Sequence, residues 1–155
     1  MKGWHNESYR HALASRGIGT GMSNNKILNG YSFENRINYL DNTRDLLERS
    51  VIMKSKNGNM VGHGTLIIDH RNKNIEIGGI RIYEKHRGKG LSKLLMTELV
   101  KIIDDIGYEA QLMIIPDDDS PLTEGDLEKI CKSSGFEIIN YETLEMRRLP
   151  RSRFE

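Results

Sequence analysis

The sequence is poor in the residues that build disulfide frameworks and metal clusters. Its 155 residues include one cysteine, Cys131, which excludes an internal disulfide and a cluster of cysteine ligands. None of the five histidines stands at a ligand-like spacing from another histidine or from the cysteine, so no metal site is predicted. A single cysteine fits a reducing compartment, and a cytoplasmic location is expected.

Long apolar runs and a strong charge of one sign are also missing. The longest apolar runs, such as residues 66–68, are far too short to cross a bilayer, and the opening MKGWHNESYR lacks the apolar stretch of a secretory signal. The net charge of +1 argues neither for nor against a charged partner. With 37% hydrophobic and 29% charged residues, the chain is expected to form one globular domain over 1–155.

The first 50 residues are predicted to be largely helical. Trp4–Arg16 is expected to form a short helix, which belongs to an N-terminal extension over residues 1–20. A loop rich in glycine and asparagine follows it to residue 32. A second helix is predicted over Phe33–Arg49. Apolar residues recur there near helical spacing, at Phe33, Ile37, Leu40 and Leu47.

The middle of the chain is predicted to form an antiparallel meander. Its three strand-like segments are Ser50–Lys56, Met60–Asp69 and Asn74–Tyr83. The pair Asn57-Gly58 between the first two is typical of a tight hairpin.

A helix with one long apolar stripe is predicted from Leu91 to Ile106, after which Gly107 ends it. A strand over Tyr108–Ile115, a helix over Pro121–Ser134 and two strands up to Leu149 complete the chain. The strand–helix–strand unit in the centre should be a crossover that joins two parallel strands. The predicted fold is therefore α/β (α+β), with a mixed, mostly antiparallel sheet.

The segment HRGKGLSK, from His86 to Lys93, joins the last strand of the meander to this helix. Free N–H groups in the first turn of a helix, together with the helix dipole, attract phosphate groups. Neither the P-loop pattern nor the complete dinucleotide pattern of three glycines is present. From the turn alone, a pyrophosphate site and a solvated basic turn remain as alternatives.

The turn and the order of elements around it resemble the GNAT superfamily of acyl-CoA N-acyltransferases. The family pattern at this turn is Arg or Gln, then any two residues, Gly, any one residue, and finally Gly or Ala. Here the same positions hold Arg87, Gly90 and Ser92, and serine is still small. The resemblance covers residues 50–149 and implies helices on both faces of the sheet. The two N-terminal helices would be the variable elements on the substrate side.

The resemblance implies acetyl-CoA as the cofactor and acyl donor. The pyrophosphate would lie on the turn, and the pantetheine arm between two strands that splay apart, Ile75–Tyr83 and Tyr108–Ile115. The residues implied in cofactor binding are Ile80, Ile82, Arg87, Gly88, Lys89, Gly90, Leu91 and Ser92. An amine would attack the thioester directly, so no nucleophile of the protein is required.

An ammonium group must lose a proton before it can attack. Glu76 lies eleven residues before Arg87, a spacing that resembles the general-base glutamate of histone-type members, and Glu84 is a weaker candidate. The alternative for Glu76 is a surface carboxylate. Where the family has a tyrosine as general acid, this chain has Cys131, which either protonates the leaving thiolate or is simply buried. Tyr141 and Tyr108 are further candidate acids.

Two charged segments have both functional and structural interpretations. The acidic run of Asp117, Asp118 and Asp119 would attract a cationic amine or, alternatively, would be a solvated loop beside a helix N-terminus. Arginines near the C-terminus would touch nucleic acid or form a solvated end, and the second is favoured. These arginines are Arg147, Arg148, Arg151 and Arg153.

The sequence thus predicts an N-acetyltransferase that acts on an amine of a small molecule or a protein. One alternative is a CoA-binding or catalytically weak interaction module on the same fold. Another is a nucleic-acid-modifying enzyme on the same scaffold, although a nucleic-acid partner is not favoured. No membrane association is expected, and a homodimer is one expectation because the family often dimerises.

Overall fold

A computed structural model describes residues 26–28, 30–115 and 122–151. Their strands are β1 (Lys26–Leu28), β2 (Tyr31–Tyr39), β3 (Leu46–Lys54), β4 (Met60–Asp69), β5 (Asn74–Ile82), β6 (Glu109–Met113), β7 (Glu137–Asn140) and β8 (Glu145–Arg148). The helices are α1 (Leu91–Ile106) and α2 (Glu124–Ser133), and a short 3-10 turn, Glu84–His86, precedes α1. The helix predicted over Trp4–Arg16 lies outside the described residues.

The strands form one sheet in the order β1-β2-β3-β4-β5-β6-β8-β7. Every neighbouring pair is antiparallel except β5 and β6, which α1 connects as parallel strands. The predicted mixed, mostly antiparallel sheet with a central strand–helix–strand crossover is therefore confirmed. Among the described residues no helix has the length and apolar character needed to cross a membrane.

The helix predicted over Phe33–Arg49 is wrong, because this segment forms β2, a tight connection and the start of β3. Phe33 and Ile37 are four residues apart, and a spacing of four places two side chains on one face of either a helix or a strand. The connection contains an Asx turn, in which Asp41 Oδ1 accepts the backbone N–H of Thr43 at 3.0 Å.

The two described helices pack on the same face of the sheet. Opposed residues in an antiparallel pair project to one face, and β4 and β5 pair Gly64 with Ile80 and Gly62 with Ile82. Leu99 of α1 lies against Gly64, while Leu127 of α2 shares a cavity with Ile80 and Ile82. Helices on the opposite face were expected from the two predicted N-terminal helices. Of these, Phe33–Arg49 forms strands and Trp4–Arg16 lies outside the described residues.

A glycine on β4 lets α1 approach this sheet closely. A Cβ on Gly64 would lie 2.7 Å from Cδ1 of Leu99, and this separation is well below carbon–carbon contact distance. Leu99 and its neighbours Leu95 and Met96 are fully buried, so glycine on β4 fixes the height of the helix over the sheet.

Strands β5 and β6 stay together for only three residue pairs, from Asn74–Glu109 to Glu76–Gln111. Immediately beyond them, β5 has a β-bulge: Leu66 of β4 faces Ile77 but Thr65 faces Gly79, so Gly78 has no partner in register. A bulge bends its strand. Among the residues that the structure describes, the stretch from Ile77 to Ile82 pairs with β4 and has no partner on its β6 side.

A substitution of Gly64 tests the close packing of α1 on the sheet. Gly64→Ala is expected to lower the free energy of unfolding by about 1–3 kcal/mol, because the new methyl group overpacks Leu99. Denaturant unfolding followed by circular dichroism measures this change. In Gly125→Ala, the matched control in α2, the nearest atom to the new Cβ is 3.7 Å away. Equal stability losses in the two variants would contradict the packing account.

Candidate functional site

The glycine turn leads directly into α1 and leaves its first amides without a side-chain cap. Gly88 has φ +83° and Gly90 has φ +73°, a left-handed conformation that glycine adopts at little cost. Gly90 is the N-cap of α1, no side chain caps it, and the first turn of the helix contains no acidic residue. The positive end of the helix dipole is thus left for an anion.

The backbone before the turn is fixed by hydrogen bonds. Nε of Arg87 donates to the carbonyl oxygen of Ile82 at 3.0 Å, and the N–H of Tyr83 donates to Val61 O at 2.9 Å. His86 N donates to Tyr83 O at 2.9 Å. Arg87 therefore holds the turn against the end of β5, in addition to any contact with a ligand.

A cavity of about 340 Å³ lies between the turn, the end of β5 and the two helices. Its lining includes seven of the eight residues predicted for cofactor binding, all except Lys89. The wall formed by Ile80 and Ile82 belongs to the part of β5 that has no β6 partner. The structure thus joins an uncapped helix start to an open strand edge in one apolar cavity.

Sequence reasoning missed the far wall of this cavity. It is formed by Leu122, Leu127 and Ile130, from α2 and the residues just before it. Their apolar pattern marks a helix that packs on the sheet, but it carries no signal of which surface they line. A second cavity, of about 330 Å³, adjoins the turn on its other side and includes Lys89.

Glu76 is exposed and occupies the last residue pair before β5 and β6 part. Its neighbours Ile75 and Ile77 project toward α1, so Glu76 projects to the opposite face. It lies at the fork where the two strands part. Glu84 lies in the 3-10 turn and is also exposed.

Cys131 is 0% exposed and packs in the hydrophobic core, while its neighbour Ile130 lines the cavity. Burial, and to a lesser degree the charge of Glu128, raises the pKa of the Cys131 thiol to about 12. A thiol with so high a pKa is a weaker acid than an ordinary thiol, whose pKa is about 8.5. The structure favours the core interpretation of Cys131 over a proton donor.

The other candidate groups lie in different places. Tyr141 is 79% exposed in the turn after β7, and the hydroxyl of Tyr108 is within 2.8 Å of Nδ1 of His70. The acidic run Asp117–Asp119 lies outside the described residues.

The arginines of the C-terminal strand are not a free basic patch. Arg148 is 3% exposed and forms a two-point ion pair with Asp104 of α1, with Nη2 at 3.1 Å from Oδ2. Its Nε also donates to Ser134 O at 2.9 Å. Arg147 pairs with Glu137 at 3.1 Å. These arginines tie β8 to its neighbours, so the nucleic-acid interpretation of them loses its support.

Comparison with protein families matches residues 14–121 to the Acetyltransferase (GNAT) family, which is more than half of the chain. The chain belongs to the GNAT acetyltransferase family. The resemblance of the glycine turn is thereby confirmed. Comparison with proteins of curated function gives no match.

Solved structures of acyltransferases share the fold at low sequence identity. An acyl-CoA N-acyltransferase from Klebsiella pneumoniae is 14% identical with a TM-score of 0.52, over 65% of this chain and 71% of that one. Spermidine N-acetyltransferase from Vibrio cholerae, in complex with CoA and spermine, is 16% identical with a TM-score of 0.52, over 66% of each chain. The same enzyme in complex with manganese ions is 18% identical with a TM-score of 0.53, over 71% and 67%.

The burial of Cys131 predicts a slow reaction with thiol reagents. Because its pKa is raised to about 12, the thiol stays protonated at pH 8 and also lies out of contact with solvent. The native chain should react with an aromatic disulfide reagent at least about a hundredfold more slowly than the unfolded chain.

A matched control moves the thiol two residues along α2 to an exposed position. The double variant Cys131→Ala/Ser133→Cys should react at close to the rate of the unfolded chain, since Ser133 is exposed. A native Cys131 that reacts as fast as this control would overturn its placement in the core.

Proposed function

We propose that this GNAT family member is an N-acetyltransferase that moves an acetyl group from acetyl-CoA to an amine. The observation that carries the proposal is the single cavity that joins the uncapped start of α1 to the unpaired edge of β5. A ligand with a pyrophosphate and an extended amide-bearing arm matches both parts. Family membership supports acyl transfer, and the choice of acetyl is part of the proposal.

The residues of the cavity would hold the donor in two ways. The amides of the turn from Arg87 to Ser92 would donate to the pyrophosphate, with the dipole of α1 adding to the attraction. The backbone of β5 near Ile80 and Ile82 would pair with the amides of the pantetheine arm as a neighbouring strand would. The apolar far wall would exclude water from the arm.

Glu76 would accept the proton that the ammonium group of the acceptor must lose. The amine nitrogen would then form a bond to the acyl carbon, and the carbon–sulfur bond would break. Because Cys131 is buried with a raised pKa, we assign protonation of the leaving thiolate to water, with Tyr141 as a protein candidate. Exposure of Glu76 at the fork allows it to pass its proton to solvent.

The acceptor is proposed to be a cationic amine. The spermidine N-acetyltransferase that shares this fold is named for a polyamine substrate. In this chain, the acidic run Asp117–Asp119 follows β6 in the sequence. A run of carboxylates beside an acceptor site would raise the local concentration of cations. A homodimer and a cytoplasmic location stay predictions.

One observation favours a second candidate, a CoA-binding protein with weak or no turnover. Cys131 stands where the family has its general-acid tyrosine. Its thiol is buried and supplies no proton donor to the cavity. The two candidates share the cofactor site and differ in whether CoA is released.

Calorimetry with acetyl-CoA and a thiol-release assay with an amine panel separate these candidates. The panel should contain polyamines, aminoglycosides and lysine peptides. Binding together with amine-dependent release of CoA supports the acetyltransferase. Binding without release for every amine would favour the binding protein, and absence of acetyl-CoA binding would overturn both.

A glycine substitution tests the role of the turn apart from its effect on folding. Gly90→Ala and Gly107→Ala place a methyl group in open space at the two ends of α1, at φ +73° and +83°. Each should cost about 1–2 kcal/mol of folding free energy, because alanine resists this conformation. Only Gly90→Ala should weaken the binding of acetyl-CoA, by about tenfold or more, because the amides of the turn would shift. Equal affinity in the two variants would remove the turn from the site.

The pH dependence of Glu76→Gln tests the proposed base. The variant should lose about a hundredfold in kcat/KM near pH 7, and the loss should shrink as pH rises toward the pKa of the acceptor, where free amine is abundant. Glu142→Gln, in an exposed turn, serves as the control and should match the parent protein. A loss in Glu76→Gln that is constant with pH would rule out proton removal as its role.

A further inference from the structure

The face of the sheet that carries Glu76 differs on the two sides of the fork between β5 and β6. Toward β4 this face is closed, because Ile67, which pairs with Glu76, is 6% exposed and Thr65 is 8% exposed. Toward β6 it is open, because Gln111, the partner of Glu76 in β6, is exposed and Met113 on the same face is 43% exposed. The open route to Glu76 therefore runs over β6 and the strands beyond it, β8 and β7.

Exposed apolar side chains are concentrated at this end of the sheet. Among the residues that the structure describes, seven large apolar side chains are exposed, and five of them belong to β6, β7 or the residues just after β6, β7 and β8. Clusters of exposed apolar side chains mark surfaces that contact other proteins. The five are Met113, Ile115, Ile139, Tyr141 and Leu149.

Two of these side chains lie on the Glu76 face itself. Met113 pairs with Glu145 of β8, and opposed residues in an antiparallel pair project to one face. Ile139 is the extra residue of a bulge in β7, which lies opposite the same Glu145. Met113 and Ile139 are therefore exposed on either side of β8, next to the fork.

The same face is acidic. The register of β6, β8 and β7 places Arg147 and three carboxylates on it, in addition to Glu76. Arg147 pairs with one of them, Glu137, at 3.1 Å. The chain as a whole has a net charge of +1, so four carboxylates against one guanidinium make this face unlike the rest of the molecule and complementary to a cationic partner. The three carboxylates are Glu109, Glu137 and Glu145.

The extent of this surface indicates a large acceptor. It is a sheet face that crosses three strand spacings from β5 to β7, roughly 14 Å. Small ligands bind in concave sites that cover most of their surface, so an open sheet face suits a peptide or a protein better. The helix expected on the substrate side over Phe33–Arg49 forms strands, and the exposed face of β6, β8 and β7 takes its place beside Glu76.

We propose that the acceptor is a lysine in a polypeptide, and that the exposed face of β6, β8 and β7 binds the residues around this lysine. Met113 and Ile139 contact apolar side chains of the polypeptide, and the carboxylates attract its basic residues. The inference rests on the proposed function, because Glu76 accepts the proton of the lysine. The lysine Nζ then bonds to the acetyl carbon, the carbon–sulfur bond breaks, and the CoA thiolate leaves and takes a proton from water.

The test compares two lysine peptides of equal length and charge, one with leucine and one with glycine on both sides of the lysine. The full chain should acetylate the leucine peptide with a kcat/KM about tenfold higher, because Met113 and Ile139 cover a leucine side chain. In Met113→Ser and in Ile139→Ser the ratio of the two kcat/KM values should fall toward one. Met60→Ser is the matched control, since Met60 is 47% exposed at the start of β4, and it should keep the parent ratio.

The outcomes separate this inference from the proposed function. Equal kcat/KM for the two peptides would overturn the inference, and so would a leucine preference that persists in both variants of the face. Release of CoA with spermidine but with neither peptide would overturn the inference and leave the function intact. A parent dimer that dissociates in Met113→Ser, measured by sedimentation, would assign the face to a second copy of the chain instead.

No release of CoA with any amine or peptide would overturn the proposed acetyltransferase itself. A leucine preference that falls in either variant of the face and persists in Met60→Ser, in a chain whose oligomeric state is unchanged, supports the assignment.

Discussion

The early parting of β5 and β6 is the feature on which the rest of the site depends. Backbone N–H and C=O groups in a sheet are normally paired, yet beyond Glu76 the described part of β6 leaves the edge of β5 open. The bulge at Gly78 bends β5 at this point. The gap that results exposes polar backbone beside an apolar wall, and an extended ligand with amide groups satisfies both.

The second half of the site is a helix that starts without a cap. Most helices satisfy their first N–H groups with a side chain at the N-cap, as Thr123 does for α2 in a full capping box. At α1 the corresponding residue is Gly90, which has no side chain to offer. Because the N-terminus of α2 has a side-chain cap and that of α1 has none, the N-terminus of α1 is the one suited to bind a ligand. The ion pair of Arg148 with Asp104 holds the other end of α1 to β8.

Local signals predicted most of the fold. The hairpin at Asn57-Gly58 and the stop of α1 at Gly107 lie where these residue types require them. The helix predicted over Phe33–Arg49 failed because a four-residue apolar spacing fits a strand as well. The two glycines of the turn, Gly88 and Gly90, were predictable, since glycine adopts their positive φ at little cost. The apolar far wall and the burial of Arg148 were not, because both depend on contacts between segments distant in sequence.

Hydrogen exchange of the backbone amides with and without acetyl-CoA tests the central claim most directly. The account predicts slower exchange in two stretches, residues 77–82 of β5 and residues 88–93 of the turn, because both would donate to the ligand or lose water on its binding. Exchange in β2 and β3 should change little, since their amides are already paired within the sheet. Protection by acetyl-CoA that misses both predicted stretches would contradict the placement of the donor in the gap between β5 and β6.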